Sequence, residues 1–314
     1  MLNIWKPIKK PILALAPMAG LTDSAFRQLC RKMGADLVYT EMISADALFY
    51  KSKKTLELIK FDKSEKPIVG QLFGKRPELF KEAAARLQKN GYDGIDINFG
   101  CPARKVVKHG GGVTLMKDYK KCRAIIESTL SGTKLPVSLK IRSQIDKITA
   151  YDFIKRIIDL PITAIMIHAR PYSNPFNALI DYEMIKKVKK LVKIPVLGNG
   201  GINTPEDAKK MLDKTGCDGI GLARGVRGQP WLFKQINDYL KKEDYQSPTL
   251  AEIKKIALQH ARLNFKTKGQ HGLVEMRKHL IWYTKGFPEA AKLRRELVKV
   301  EKISDIEKVF RVGE

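Results

Sequence analysis

The chain has 314 residues, and 59 Lys and Arg against 33 Asp and Glu give it a formal net charge of +26 at pH 7. That length holds one large domain and a small one, and a hydrophobic content of 44% is too high for a disordered polycation. Four cysteines, Cys30, Cys101, Cys122 and Cys217, stand far apart with no C-x-x-C, which excludes a zinc ribbon, an iron–sulfur cluster and a disulfide scaffold, so no metal is expected.

From the N-terminus, ILALA is too short for the apolar core of a signal peptide. No stretch approaches the roughly 20 apolar residues of a membrane span, so the expected setting is a reducing cytoplasm and no membrane is an expected partner. Short apolar runs then follow at 11–18 (PILALAPM), 36–42 (DLVYTEM), 67–74 (PIVGQLFG), 93–101 (DGIDINFGC), 136–142 (PVSLKIR), 164–170 (AIMIHAR), 195–201 (PVLGNGG) and 219–225 (GIGLARG). They are rich in branched residues and end in polar or Gly residues, as buried parallel strands do. Amphipathic helical patterns lie between them, such as 77–91 and 204–216. The second opens with Thr204 as N-cap and Pro205 at the first helical position, and stops at Gly216.

Eight strand–helix units predict an α/β fold, a (β/α)8 TIM barrel over residues 1–243. An open doubly wound sheet would announce itself with G-x-G-x-x-G after the first strand, where this chain has APMAG. After residue 248 the strand pattern stops. Residues 249–314 predict a small all-helical domain dense in Lys and Arg, with three or four helices punctuated by Gly286 and Pro288. The charge admits two readings, a lysine-rich composition bias or an acidic macromolecular partner, nucleic acid foremost.

The active site of a (β/α)8 barrel sits at the C-terminal ends of its strands. Here those ends carry Pro17-Met18, Glu41, Gln71, Asn98 to Cys101, Lys140 with Arg142, His168 with Arg170, Asn199-Gly200-Gly201 and Ala223-Arg224. GNGG and ARG after the last two strands predict a phosphate site of backbone N–H groups and a helix N-terminus. Cys101, in a Gly-Cys-Pro turn, suits a nucleophile or a general acid, whereas the other three cysteines read as small buried hydrophobes. The loop after it carries Gly110-Gly111-Gly112 and is long enough for a mobile lid. Lys140, alternating with apolar neighbours, should point inward and meet an anionic partner. Gln71 and Asn98 suit the imide edge of a flat heterocycle, and Asn98 equally suits local turn bonding. His168 fits either a core or a site position.

In order along residues 14–231, APMAGLTDSAFR, TEMISADAL, QLFG, DINFGCP, KIR, IHAR, GNGGI and ARGVRGQPW resemble the tRNA-dihydrouridine synthase family. MRKHLIWYTKG and AAKLRRELVKVE extend the resemblance to about residue 301, in a pattern most like the bacterial B-type branch. The resemblance implies FMN at the barrel mouth with Pro17, Met18 and Ala19 beside its ring, Gln71 and Lys140 at its pyrimidine edge and His168 against it. Asn199, Gly200, Gly201, Ala223 and Arg224 would hold its phosphate. It implies NADPH as reductant and tRNA as substrate, with hydride going to C6 of uracil while Cys101 protonates C5. Asn98 would contact the substrate, as would Arg104, Lys105 and Lys108 of the loop after Cys101. Two positions depart from the family pattern: Gly201 replaces a common acidic residue, and Ala223 a common Gly. The chain is expected to act as a monomer. An FMN barrel acting on a free pyrimidine, or an RNA-binding barrel without chemistry, is the alternative. The first has no use for the charge, and the second none for Cys101, Lys140 and Gln71.

Overall fold

Each of the eight apolar runs is a strand: β1 (Ile12–Leu15), β2 (Leu37–Ser44), β3 (Ile68–Phe73), β4 (Gly94–Phe99), β5 (Val137–Arg142), β6 (Ala164–His168), β7 (Val196–Asn199) and β8 (Gly219–Leu222). The structure, a computed structural model, describes residues 4–311. All eight strands pair in parallel with their neighbours, and β8 returns to β1 through Ile12↔Gly219 to Leu15↔Leu222, closing the TIM barrel. Most strands end before the apolar run does, the last residues leaving the ladder at the mouth. β5 keeps its run to the last residue, Arg142, and β2, whose register shifts between Tyr39 and Met42, continues past its run to Ser44.

Alternation along each strand sorts the side chains onto two faces. Outward residues such as Ile95, Ile97, Leu139, Ile165 and Leu222 pack under the surrounding helices. Inward residues at the lower end, among them Ile12, Ala14, Leu37, Tyr39, Val69, Ala164, Met166 and Leu197, fill the barrel interior. The same inward positions nearer the strand ends are polar, so the barrel is a packed apolar plug below and a polar cup above.

The helix Pro205–Thr215 has its Thr204 and Asp207 capping box, its Pro at the start and Gly216 in the left-handed region at its end, as the sequence leads one to expect. A short hairpin, Gln144–Ile145 with Ile148–Thr149, has no counterpart in the sequence reading, since two-residue strands leave no periodic trace.

The tail is helical: Leu250–Tyr283, Ala290–Leu297 and Ile303–Arg311. The first comprises two helical segments that abut at Gly269, whose φ of 59° and ψ of −143° break the helix without a connecting loop. These helices enclose their own apolar cluster around Leu273, Met276, Leu280, Leu297 and Phe310. They dock on the barrel helix Ser24–Lys32, where Phe26 stacks on His260 with ring centroids 5.3 Å apart. Lys268 bridges Asp23 at 2.7 Å and Glu275 at 2.5 Å across the same seam. Among the described residues no helix is long and apolar enough to cross a membrane.

Candidate active site

The polar cup is a cavity of about 1040 Å3 at the C-terminal ends of the strands. Glu41, at the end of its apolar run, does not line it; of the residues expected to meet cofactor or substrate, all line it except Lys105 and Lys108. Both lie on the short helix Arg104–Lys108 and are exposed beside the mouth.

Three strands furnish the floor. Gln71 on β3 and Asp96 on β4 are register partners, as are Asp96 and Ser138 on β5, and Asn98 and Lys140. The Gln71 Nε2 donates to Asp96 Oδ2 at 2.7 Å, the Ser138 hydroxyl to Asp96 Oδ1 at 2.6 Å, and Asn98 Nδ2 to Gln71 Oε1 at 2.9 Å. The remaining amide oxygen of Asn98 accepts from the backbone N–H groups of Gly100 (3.1 Å) and Cys101 (2.8 Å). Asn98 therefore does what a turn-forming residue does, and it also lines the cavity.

Lys140 points inward, but the acceptor it meets is neutral: its Nζ donates to Asn199 Oδ1 at 3.3 Å. A carboxyl that the sequence did not single out, Asp96, acts on it through space rather than by contact. Burial, with Arg142 nearby, lowers the lysine to about 8, while Asp96 and Cys101 pull it up. Asn199 is itself fixed, donating to the Gly221 carbonyl at 2.7 Å.

The far wall is a cation cluster. Arg104, Lys140, Arg142, Arg170, Arg224 and Arg227 all line the cavity, and among the described residues no carboxylate does. Arg142, lowered by burial to about 10, is braced by the carbonyls of Gly100 and Arg170. Arg170 donates to the Ala178 carbonyl at 2.7 Å, and Arg224 lies over the Phe176 ring at 5.3 Å. His168, at the end of β6, is held neutral, its imidazole lowered to about 2 by burial and by the surrounding Lys140, Arg142, Arg170 and Arg224. Gly200 adopts φ of 112°, and a Cβ there would stand 2.7 Å from His168 Cδ2, so only glycine leaves this backbone open beside the imidazole. Gly201, with φ of 72°, lies next in the loop.

After Gly201 the chain runs through Ile202 and Asn203, which also line the cavity, into the helix Pro205–Thr215. After Ala223 the chain makes only a three-residue 3-10 turn, Arg224–Val226. Arginine side chains add positive charge here.

Cys101 stands half-buried on the rim. Burial raises its thiol above the ordinary value, against the opposing pull of the Ala103 backbone, Lys140 and Arg142. It is therefore a protonated thiol at neutral pH. Cys30, Cys122 and Cys217 are buried, as their apolar surroundings lead one to expect. The loop after Cys101 is anchored at its far end. Gly112–Lys117 forms a 3-10 turn with Val113, Leu115 and Met116 buried, and Val113 N–H donates to the Cys101 carbonyl at 3.1 Å. Gly112 (φ of 60°) passes so close that a Cβ would lie 2.6 Å from that carbonyl oxygen.

A model of the dihydrouridine synthase family matches residues 14–311. The chain belongs to that family. It is a flavin-dependent oxidoreductase forming dihydrouridine in tRNA. A probable tRNA-dihydrouridine synthase 1 of Synechocystis sp. is 35% identical over 96% of this chain and 88% of its own length. The tRNA-dihydrouridine synthase B of Pseudomonas aeruginosa is 35% identical over 92% and 88%. A probable tRNA-dihydrouridine synthase of Rickettsia conorii is 38% identical over 90% and 87%. Among solved structures, the 6-hydroxypseudooxynicotine amine oxidase of Pseudomonas geniculata superimposes with a TM-score of 0.60 at 14% identity, over 99% of this chain and 66% of that one. That likeness is one of fold.

In this dihydrouridine synthase the sequence reading passed over Asp96 and Arg227 and gave Arg142 and Arg170 no role. Asp96, Arg142 and Arg170 were accessible to it, because strict alternation in DINF, KIR and HAR puts them on the inner face. Arg227 lies in a loop, and no periodicity marks it. Its guanidinium stacks 4.9 Å from the Trp282 ring of the helical tail, a contact between residues far apart in the chain.

Proposed function

We propose that this chain reduces uridine in tRNA using FMN and NADPH, with Cys101 as the proton donor. The observation that carries the reading is a protonated thiol at the rim of a cavity whose far wall is cationic and free of carboxylates. The residues present fit FMN: the open backbone at Gly200 and the arginine cluster suit a phosphate, and the amide and lysine floor suits a polar heterocycle edge. Bound there, FMN would supply the hydride, having received it from NADPH.

The chain's own residues would do the rest. Asn199, Gly200, Gly201, Ala223 and Arg224 would hold the phosphate, Gln71 and Lys140 the pyrimidine edge, and Pro17, Met18 and Ala19 the side of the ring. His168, neutral in its cationic surroundings, would lie against the ring without adding charge. As hydride reaches C6 of uracil, the Cys101 S–H bond breaks and its proton goes to C5, so the C5–C6 double bond becomes single. The thiolate left behind faces Lys140 and Arg142, both of which favour it. Asn98, which holds the turn through its bonds to Gly100 and Cys101, would also contact the uridine, and Arg104, Lys105 and Lys108 would meet RNA beside the mouth. A uridine must leave its stack to enter such a cavity. The protein would act as a cytoplasmic monomer, in a compartment where Cys101 stays reduced.

Replacing Cys101 with Ala tests this. The variant should keep its flavin and its NADPH-driven flavin reduction, yet lose about 10²–10⁴-fold in tRNA reduction, the usual contribution of a general acid. tRNA reduction within threefold of the parent would remove Cys101 from the chemistry.

A further inference from the structure

Asp96 is fully buried in the barrel, one step above a plug of apolar side chains. (β/α)8 interiors are ordinarily filled by branched apolar residues. A buried carboxyl costs free energy that an apolar side chain would not, so its presence calls for a use. Among the described residues it makes no ion pair; its two oxygens accept from Ser138 and Gln71.

These bonds belong to a chain that runs to the rim. Ser138 donates to Asp96, Gln71 donates to Asp96, Asn98 donates to Gln71, and the Gly100 and Cys101 amides donate to Asn98. Gln71 and Asn98 are amides, and each could present either end to its neighbour. An ionised carboxylate only accepts, so it forces the Gln71 N–H toward itself. That leaves Gln71 Oε1 for Asn98 Nδ2, and Asn98 Oδ1 for the turn.

We propose that Asp96 is a positioning residue for the Cys101 turn, setting through Gln71 and Asn98 the direction of the hydrogen bonds that hold the Gly100 and Cys101 amides. Its catalytic importance rests on the reading of Cys101 as proton donor; its hold on the turn does not. Burial raises the Asp96 carboxyl to about 7, with Ser138, Gln71 and Lys140 opposing the rise, so the acceptor-only carboxylate predominates above neutral pH.

The test labels the purified, flavin-loaded protein with iodoacetamide at pH 8 and follows each cysteine by mass spectrometry. In Asp96→Asn the fixed acceptor becomes a third reversible amide. Cys101 should alkylate at least threefold faster than in the parent, while the buried Cys30, Cys122 and Cys217 remain protected. An unchanged Cys101 rate with those three protected overturns the proposal. Should Asp96→Asn unfold, all four cysteines will label, and Ser138→Ala, which removes the donor that favours the ionised Asp96 and so lets its carboxyl protonate, decides instead. It should accelerate Cys101 labelling with the other three protected, and a parental rate overturns the proposal. If Cys101→Ala keeps full activity, the donor reading falls, while the labelling still decides what holds the turn.

Discussion

Lys140 has its charge set by opposing neighbours. Burial and Arg142 bring it down to about 8, and Asp96 and Cys101 hold it from falling further. It is a cation at pH 7, donating to one neutral oxygen, with capacity for more acceptors. Lys140→Ala should therefore weaken FMN retention about tenfold or lower the flavin reduction potential by about 30 mV or more, since a two-electron shift of that size corresponds to about 1.4 kcal/mol. Anaerobic titration of the purified variant, beside its flavin content, reads both, and parental values for the two would take Lys140 away from the cofactor. The position of Lys140 was legible in VSLKIR because a two-residue period places it inward. Its partner was not: Asn199 lies two strands away in the barrel, and only closure of the sheet brings the two together.

The seam between helices Ser24–Lys32 and Leu250–Tyr283 buries two imidazoles edge to face, His260 and His279, with centroids 4.6 Å apart. His260 is within 3.2 Å of the Tyr283 hydroxyl. Burial lowers His260 to about 4 and His279 well below its ordinary value; Asp23 opposes this, and Lys268 and Lys278 reinforce it. A histidine depressed in the folded state takes up its proton first when unfolded. The stability it confers is thus present above about pH 6.5 and lost as pH falls below that value, at up to about 1.4 kcal/mol per pH unit for each group. The thermal midpoint should drop between pH 7 and pH 5. His279→Phe, which keeps a ring but cannot titrate, should flatten that dependence. An identical slope in the variant would show that the seam does not govern acid sensitivity. The helices themselves were readable from their periodicity. Their docking was not, since His260 and His279 look like ordinary polar positions until Phe26 covers them.

For the molecule as a whole, the question is what a net charge of +26 is for. If Lys and Arg neutralise tRNA phosphates, binding must release counterions. Affinity should then fall with salt along a log–log slope of about −3 or steeper. NADPH oxidation with a small artificial acceptor should respond much less over the same series, which separates RNA docking from general salt damage. A flat binding curve would leave the charge to composition and substrate choice to the cavity.

The periodicities of the chain by themselves determined the barrel, its closing order and the face on which Gln71, Asn98, Lys140, His168 and Asn199 stand. Each strand carries a two-residue alternation that survives any tertiary arrangement, and a strand-end residue can only point into the cup or out of it. Tertiary structure alone decided the pairings within the cup. It put the buried Asp96 carboxyl under Gln71, seated Gly112 on the Cys101 carbonyl, gave Lys140 a neutral acceptor and laid Arg227 on Trp282. The reason is that a hydrogen bond or a desolvated charge depends on distances of a few tenths of an ångström between residues remote in sequence, and periodicity within one strand contains no information about them.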